Sequence, residues 1–385
     1  NKKYELAKTY FLKLKKNQSR FVLNNFLSNS LSNWVGFRNL SFSESQNAIN
    51  KIDPKFKNLK NTQNIFLNCY FNSEKTDNLF KKLISDKKTD FSRYAYFYGT
   101  YLLSSDKAFE AKEIIETSLK NYPRNLVLNQ FQRDLELKKY DNHFNCQNLN
   151  HVIAEIFYIA ANALSSQSIY DLSNFYLHLA KYLHDDFLSF DALIAENFYN
   201  VENFDQAVKI YNRIEKRGDA YLWYSAKQKA RILNKKDKKE KALRVLEKSF
   251  QKLSKKKLYE IFDYAQFLKS NKKYDEAIKY YTNILDIIDK AHPLYPEVTD
   301  NRGVAYERSG NWEEAEKDLL SSLSASPDQA YVINYLAYSW IEQGIKINEA
   351  LEMLEKANIL KPDDPYIIDS LGWALFKLKK YEEAK

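Results

Sequence analysis

One recurring spacing constrains this chain more than any single motif. Similar segments begin at Ala154, Leu188, Trp223, Leu258, Pro296, Ala330 and Pro365, with successive starts 34, 35, 35, 38, 34 and 35 residues apart. Another begins at Ser92. A period of this length belongs to stacked helical hairpins, each too small to bury its apolar face alone. The eighth position of each segment is small: Gly99, Ala161, Ala195, Ala230, Ala265, Gly303, Ala337 and Gly372. The twentieth is small too: Ala111, Ser173, Ala207, Ala242, Ala277, Ala315, Ala350 (after a one-residue insertion) and Ala384. Two small residues facing each other let a first helix, A, approach a second, B. A bulky residue at the eleventh position, such as Leu102, Leu268 or Trp340, fills the space between the close approaches. Pro123, Pro327 and Pro362 end a helix B, and Pro296 and Pro365 open a helix A, where the missing N–H costs nothing.

Composition agrees with an all-α chain. Seven glycines and seven prolines in 385 residues are too few turn residues for a sheet protein, while 44% hydrophobic content supplies a core. The net charge of +9 comes from 59 basic and 50 acidic residues, interspersed along most of the sequence. Lys235, Lys236, Lys238 and Lys239, and then Lys255 to Lys257, read as a solvated turn and a helix end, with a nucleic-acid or anionic-membrane patch as the alternative. Cys69 and Cys146 lie too far apart to form a framework that reports the redox compartment. No run of 18 apolar residues exists that would span a membrane. No charged-then-apolar leader follows Asn1, so any signal peptide or lipid anchor is expected upstream.

The spacing divides the chain into four parts. Residues 1–91 are degenerate helical repeats, in which Tyr4, Ala7, Phe11 and Leu14 read as a helix B without its helix A. Residues 92–125 form one repeat unit, and residues 126–153 an irregular stretch with a helix over Leu126 to Lys139 and a loop around Asp141 to Asn148. Residues 154–385 are a regular array whose last unit is incomplete, so that its helix A is expected to expose an apolar face.

The stretches GVAYERSGNWEEAEKDLLSSLSASPD, NYLAYSWIEQGIKINEALEMLEKANILKPDDP and IIDSLGWALFKLKKYEEAK resemble the tetratricopeptide-repeat (TPR) family, and the likeness covers roughly residues 92 to 385. It implies an all-α fold, a right-handed α-solenoid of TPR helix-turn-helix repeats. YSWIEQG followed by PDDPYIIDSLGWALFKLKKYEEA resembles a narrower group of bacterial, alphaproteobacterial-type TPR proteins, some exported and lipid-anchored. In the family, positions 2, 5, 9, 12 and 13 of helix A face the ligand groove. Carried onto this chain, they give Tyr158 and Asn162; Glu196, Tyr199 and Asn200; and a cationic unit of Tyr224, Lys227, Arg231, Asn234 and Lys235. Tyr259, Phe262, Gln266 and Lys269 follow, then acidic Glu297, Asp300 and Glu307, then Tyr331, Asn334, Tyr338, Tyr366 and Trp373. Such a groove suits an extended peptide or a partner helix, because amides bond peptide backbone and aromatics anchor side chains. The family's clamp for a C-terminal carboxylate does not fit here. After Lys227 and Arg231 the window offers Asp263 and Glu297, which would repel a carboxylate.

The implied function is a non-catalytic scaffold or adaptor for protein or peptide ligands, with no cofactor and no small-molecule substrate. No glycine-rich phosphate loop, nucleophile elbow or metalloprotease helix motif is present. His143, Cys146 and His151 come nearest to a metal set but lack zinc-site spacing. His178 and His184 read as surface groups. A pentatricopeptide-like reader of single-stranded RNA is one alternative, weakened by acids at Glu297, Asp300 and Glu307 that interrupt a cationic groove. The narrower resemblance implies a periplasmic protein tethered to the outer membrane, acting in envelope assembly or proteolysis. A cytoplasmic assembly scaffold is the other alternative.

Overall fold

The computed structural model describes residues 6, 9, 10, 22–86, 88–139 and 144–385. The N-terminal helix B expected from Tyr4, Ala7, Phe11 and Leu14, and the candidate ligand His143, lie outside the described residues. Every regular element described is an α-helix or a short 3-10 turn. The helices are α1 (Val22–Gly36), α2 (Phe42–Asn50), α3 (Lys57–Tyr70), α4 (Thr76–Ile84), α5 (Ser92–Ser104), α6 (Ala108–Asn121) and α7 (Leu126–Glu136). Next come α8 (Leu149–Ser166), α9 (Tyr170–Leu183), α10 (Ser189–Asn200), α11 (Phe204–Ile214) and α12 (Asp219–Lys235). The series continues with α13 (Lys239–Lys252), α14 (Leu258–Ser270), α15 (Tyr274–Leu285), α16 (Tyr295–Arg308), α17 (Trp312–Ala325), α18 (Ala330–Gln343), α19 (Ile347–Leu360) and α20 (Pro365–Lys377). They fall into two compact units, Asn1–Lys238 and Lys239–Lys385. Among the described residues no helix is long and apolar enough to cross a membrane.

A single backbone device closes helix A in every repeat. The fifteenth residue of the unit takes a positive φ, and the N–H of the sixteenth donates back to the carbonyl of the eleventh. The device occurs at Asp106, Ser168, Glu202, Asp237, Lys272, Gly310, Gly344 and Lys379, with φ between 53° and 86°. The return bonds include Lys107 N–H to the Leu102 carbonyl at 2.9 Å, Lys273 to Leu268 at 3.0 Å and Lys380 to Leu375 at 2.9 Å. This is the Schellman closure, which satisfies carbonyls that a helix end would leave unpaired.

The same closure reveals two repeats that side chains hide. Asn72 (φ 53°) with Ser73 N–H to the Asn68 carbonyl sets a repeat beginning at residue 58. Lys138 (φ 54°) with Lys139 N–H to the Asp134 carbonyl sets another beginning at residue 124. The first is the hairpin α3/α4, inside the stretch read as degenerate. The second consists of α7, after which no second helix follows among the described residues. The helix expected to Lys139 ends at Glu136 because the closure begins there.

Inside the hairpins the small residues meet as their spacing predicts. Ser173 Oγ donates to the Ala161 carbonyl at 2.8 Å, joining the twentieth position to the eighth. A Cβ placed on Gly303 would stand 3.2 Å from the Ala315 carbonyl and 3.0 Å from Leu319 Cγ, so any larger residue would push α17 back by a few tenths of an ångström. Trp340 fills the eleventh position with no exposed surface. Its indole N–H donates to Glu316 at 2.7 Å. The last described helix, α20, leaves Ile368, Trp373 and Phe376 exposed.

The first unit is held at its N-terminal side by polar contacts in an apolar setting. Trp34 of α1 is fully buried and donates to Gln63 at 3.1 Å, and Gln63 donates to Ser30 at 2.9 Å. Helix α1 also packs on α8. Cys69 and Cys146 form a disulfide across 77 residues, with their Cα atoms 5.9 Å apart. The expectation that these cysteines form no framework is therefore corrected, since the fold brings α3 against the segment 144–148. Phe144, buried beside the disulfide, packs on Phe97 at 4.1 Å and Phe66 at 5.1 Å.

Two outcomes are expected. Lys272→Gly should raise stability by about 0.5–1 kcal/mol in urea titration, since glycine takes positive φ without strain. A lower urea midpoint would contradict the closure. Reducing the disulfide should cost roughly 2–5 kcal/mol in the first unit. Hydrogen exchange should then speed up in α3 and α8 and stay unchanged in α16 and α18.

Candidate functional site

The helix-A side of the first unit carries an open cleft of about 650 Å³. Five first helices contribute to it: Arg93 from α5, Leu126 and Val127 from α7, Tyr158, Ile159 and Asn162 from α8, Leu193 and Glu196 from α10, Tyr224 and Gln228 from α12. Its floor is an ion pair. Arg93 Nε and Nη2 donate to the two oxygens of Glu155 at 2.7 and 2.6 Å, and Nη1 donates to Ser189 Oγ at 2.7 Å. The guanidinium lies 3.6 Å over the Tyr158 ring. Glu155 is only 1% exposed. Burial works against the Arg93 charge, but Glu155 more than restores it, so the guanidinium titrates above its ordinary range. Burial pushes the Glu155 carboxyl up, while the Arg93 charge and hydrogen bonds pull it back. A bidentate pair of this geometry fixes three helices at one point, and removing either partner would strand a buried charge.

Arg93, Glu155 and Ser189 occupy the second position of three units, yet none is among the groove residues expected from sequence. The position rule that selects Tyr158 would have found Arg93 in the unit beginning at Ser92. Of the expected residues, Tyr158, Asn162, Glu196 and Tyr224 do meet in the cleft. Asn200 is exposed at the end of α10, and Lys227 is half-buried on α12.

Two expectations for this unit need correction. Tyr199 is buried beneath Arg231, whose guanidinium stands 3.8 Å over the ring, so it offers no ligand surface. The cationic zone is also largely paired. Arg231 donates to Glu196 at 2.8 Å and Lys235 to Glu202 at 2.6 Å, each acid lying one repeat earlier.

In the second unit the expected residues lie along α14, α16, α18 and α20. Tyr259 and Gln266 are half-buried. Phe262 departs from expectation: it is 1% exposed and packs on Tyr281, so it belongs to the core. Burial pushes the Asp300 carboxyl up to about 6, with Lys269 pulling it down and Glu297 adding to the rise. Glu307 accepts from Tyr335 at 2.7 Å. Tyr331 donates to Asp364 at 2.9 Å, and Trp373 donates to Glu342 at 2.6 Å. Asn334 is half-buried with its side-chain oxygen unbonded. Tyr338 and Tyr366 are exposed. Tyr335, Glu342 and Asp364 were missed, because their role depends on a neighbour one repeat away.

The histidine and cysteine set read as a weak metal candidate has a different arrangement. Cys146 is bonded to Cys69, and His151 Nδ1 accepts the Asn145 N–H at 3.0 Å. His184, expected on the surface, is 5% exposed and stacks on His151 with ring centroids 3.7 Å apart. Neither His184 nitrogen has a hydrogen-bond partner. Burial first, then the nearby His151 and Arg93, depress its pKa to about 3.

Comparison with known proteins places the repeats. Residues 258–328 match the tetratricopeptide repeat family. Hairpins α14/α15 and α16/α17 are the part of the chain that matches tetratricopeptide repeats. A curated TPR repeat-containing protein of Pseudomonas aeruginosa is 34% identical over 94 residues, which is 24% of this chain. The match spans only 16% of the relative's own length. Among solved structures, the C-terminal part of a TPR repeat-containing protein from Cytophaga hutchinsonii aligns at 14% identity with a TM-score of 0.45. That alignment covers 72% of this chain and 99% of the other. A chain of the APC/C hetero-tetramer Cut9–Hcn1 aligns at 13% identity with a TM-score of 0.43, covering 97% of this chain and 93% of that one.

The buried histidine gives a pH dependence with a definite sign. Its folded-state pKa is depressed, so its contribution is complete above the unfolded value near 6.5 and is lost as pH falls towards 3. The loss should reach about 3–5 kcal/mol. Denaturation of wild type and His184→Phe between pH 7 and 4 should show a steeper fall in wild type. Parallel curves would contradict a buried neutral imidazole.

Proposed function

We propose that this chain is a non-catalytic scaffold that holds protein partners, as extended peptides or helical segments, against the helix-A faces of its repeats. The observation that carries the proposal is the cleft of the first unit. Its Arg93–Glu155 floor is locked, its walls at Leu126, Val127, Ile159 and Leu193 are apolar, and the exposed Asn162 amide makes no hydrogen bond in the structure. A preorganised surface with apolar pockets and a free amide suits a polypeptide, which presents side chains and unpaired backbone together. The pairing of Arg231 and Lys235 with Glu196 and Glu202 favours a protein ligand over single-stranded RNA, because phosphate binding needs uncommitted cations.

The Cys69–Cys146 pairing supports an oxidising compartment, where disulfides persist. Within that reading the scaffold works in the bacterial envelope, in assembly or proteolysis. A cytoplasmic assembly scaffold would keep the pair reduced.

Selection of a random peptide-display library on the intact chain tests the binding claim. Peptides should be enriched, and the double substitution Ile159→Arg and Leu193→Arg should weaken cleft-directed ones at least about ten-fold at unchanged helicity. Equal binding to wild type and variant would exclude the cleft.

A further inference from the structure

The first unit contains two runs of repeats whose first-helix faces meet. The early run is α3 to α7 and the late run α8 to α12, and residues 137–148 join them. In the middle, Arg93 of α5 crosses to Glu155 of α8 and Ser189 of α10. Tyr96 of α5 stacks on Phe187, with ring centroids 5.4 Å apart. On the α7 side, Arg133 donates to Asp219 of α12 at 2.8 Å, and Gln130 accepts the Ala220 N–H at 3.1 Å. On the α3 side stands the Cys69–Cys146 disulfide, with Gln147 donating to Asn72 beside it. The cleft is the gap this seam leaves open: Leu126 and Val127 wall it from the early run, Ile159 and Leu193 from the late run.

With only two cysteines in the chain, this disulfide is the one covalent tie across the seam besides the backbone. The non-covalent ties hold it weakly. Arg93–Glu155 and Arg133–Asp219 each exchange two hydration shells for one ion pair, and parting the runs would return that hydration. His184 is buried against Phe187 with neither nitrogen bonded, which also favours parting. Helix α1 adds a further tie, packing on α8 and donating from Trp34 to Gln63 of α3. Phe144, the ring packed on both Phe66 and Phe97, stands two residues before Cys146, so the disulfide sets its position. A bond closing a loop of 77 residues keeps the two faces at a high effective concentration.

We propose that oxidation of Cys69 and Cys146 assembles the cleft, so that the chain gains this peptide-binding surface when the disulfide closes. This is a regulation of the cleft and rests on the scaffold reading. In the step, the two thiols pass two electrons and two protons to a disulfide-bearing oxidant, the Sγ–Sγ bond forms, and the oxidant leaves as a dithiol. The closed bond holds Phe144 against Phe97, sets α8 opposite α5 and lets Arg93 reach Glu155 and Ser189. Without it the runs part, and the two walls of the cleft no longer face each other. The second unit supplies the contrast. Arg302 donates to both oxygens of Asp318 at 2.6 and 2.8 Å, but within one hairpin, α16/α17.

Arginine footprinting of the intact chain with phenylglyoxal, read by mass spectrometry, is the test. The Arg93 and Arg302 side chains are 16% and 17% exposed, so both should react slowly in the oxidised chain. In dithiothreitol, and separately in Cys69→Ser, Arg93 should react at least about ten-fold faster. Arg302 should keep its rate, and circular dichroism should show helicity retained. A labelled peptide from the display selection should bind the oxidised chain at least about ten-fold tighter than the reduced one. Arg93 protected in both states, Arg93 and Arg302 exposed together, or helicity lost on reduction would overturn the inference. Equal peptide binding to the two states would overturn it too and leave the scaffold reading standing. If the selection yields no peptide for the cleft, the scaffold reading fails and the regulation with it.

Discussion

The structure depends on one short hydrogen-bonded turn. After each helix A, a left-handed residue brings the next N–H back to a carbonyl five residues earlier, and the closure recurs ten times from Asn72 to Lys379. It satisfies carbonyls at the helix end and reverses the chain in few residues. Only two of the ten left-handed positions are glycine, Gly310 and Gly344. At the others, side chains such as Glu202 and Lys272 are held at positive φ by the packed hairpin around them. Once the turn is set, the eighth and twentieth positions meet and the first helices of successive repeats lie side by side.

That alignment brings the same helix position from different repeats into contact. Position two alone contributes Arg93, Glu155 and Ser189 to the cleft floor of the first unit. In the second unit it supplies Tyr331 and Tyr366, both on the exposed face. The two units differ in chemistry because they spend their charges differently. In the first, cations and carboxylates cancel in pairs, as in Arg93–Glu155 and Arg231–Glu196. In the second, carboxylates take ring hydrogens.

The repeat was legible because its small and bulky positions must obey a steric rule. The hairpin α3/α4 escaped notice because Ile65 and Asp77 stand where small residues are expected. Asp77 instead accepts from Tyr98 at 2.7 Å. The position rule located the groove-facing side of each helix A but not the fate of each side chain there. Phe262 and Tyr199 sit at ligand-facing positions and are buried by neighbours whose approach a linear sequence does not display. The cation–carboxylate pairs were closer to legible, since Glu196 and Arg231 lie 35 residues apart, one repeat. Cys69–Cys146, 77 residues apart, carries no such periodic signal, because it joins a repeat to a stretch where the period lapses.

The central claim is that partners are held on first helices rather than second ones. Hydrogen exchange of the intact chain, with and without a bound peptide, measures this directly. The account predicts slowed exchange in α8 and α10 for cleft ligands, with α9, α11, α17 and α19 unchanged. Protection confined to α9, α11, α17 and α19 would contradict it.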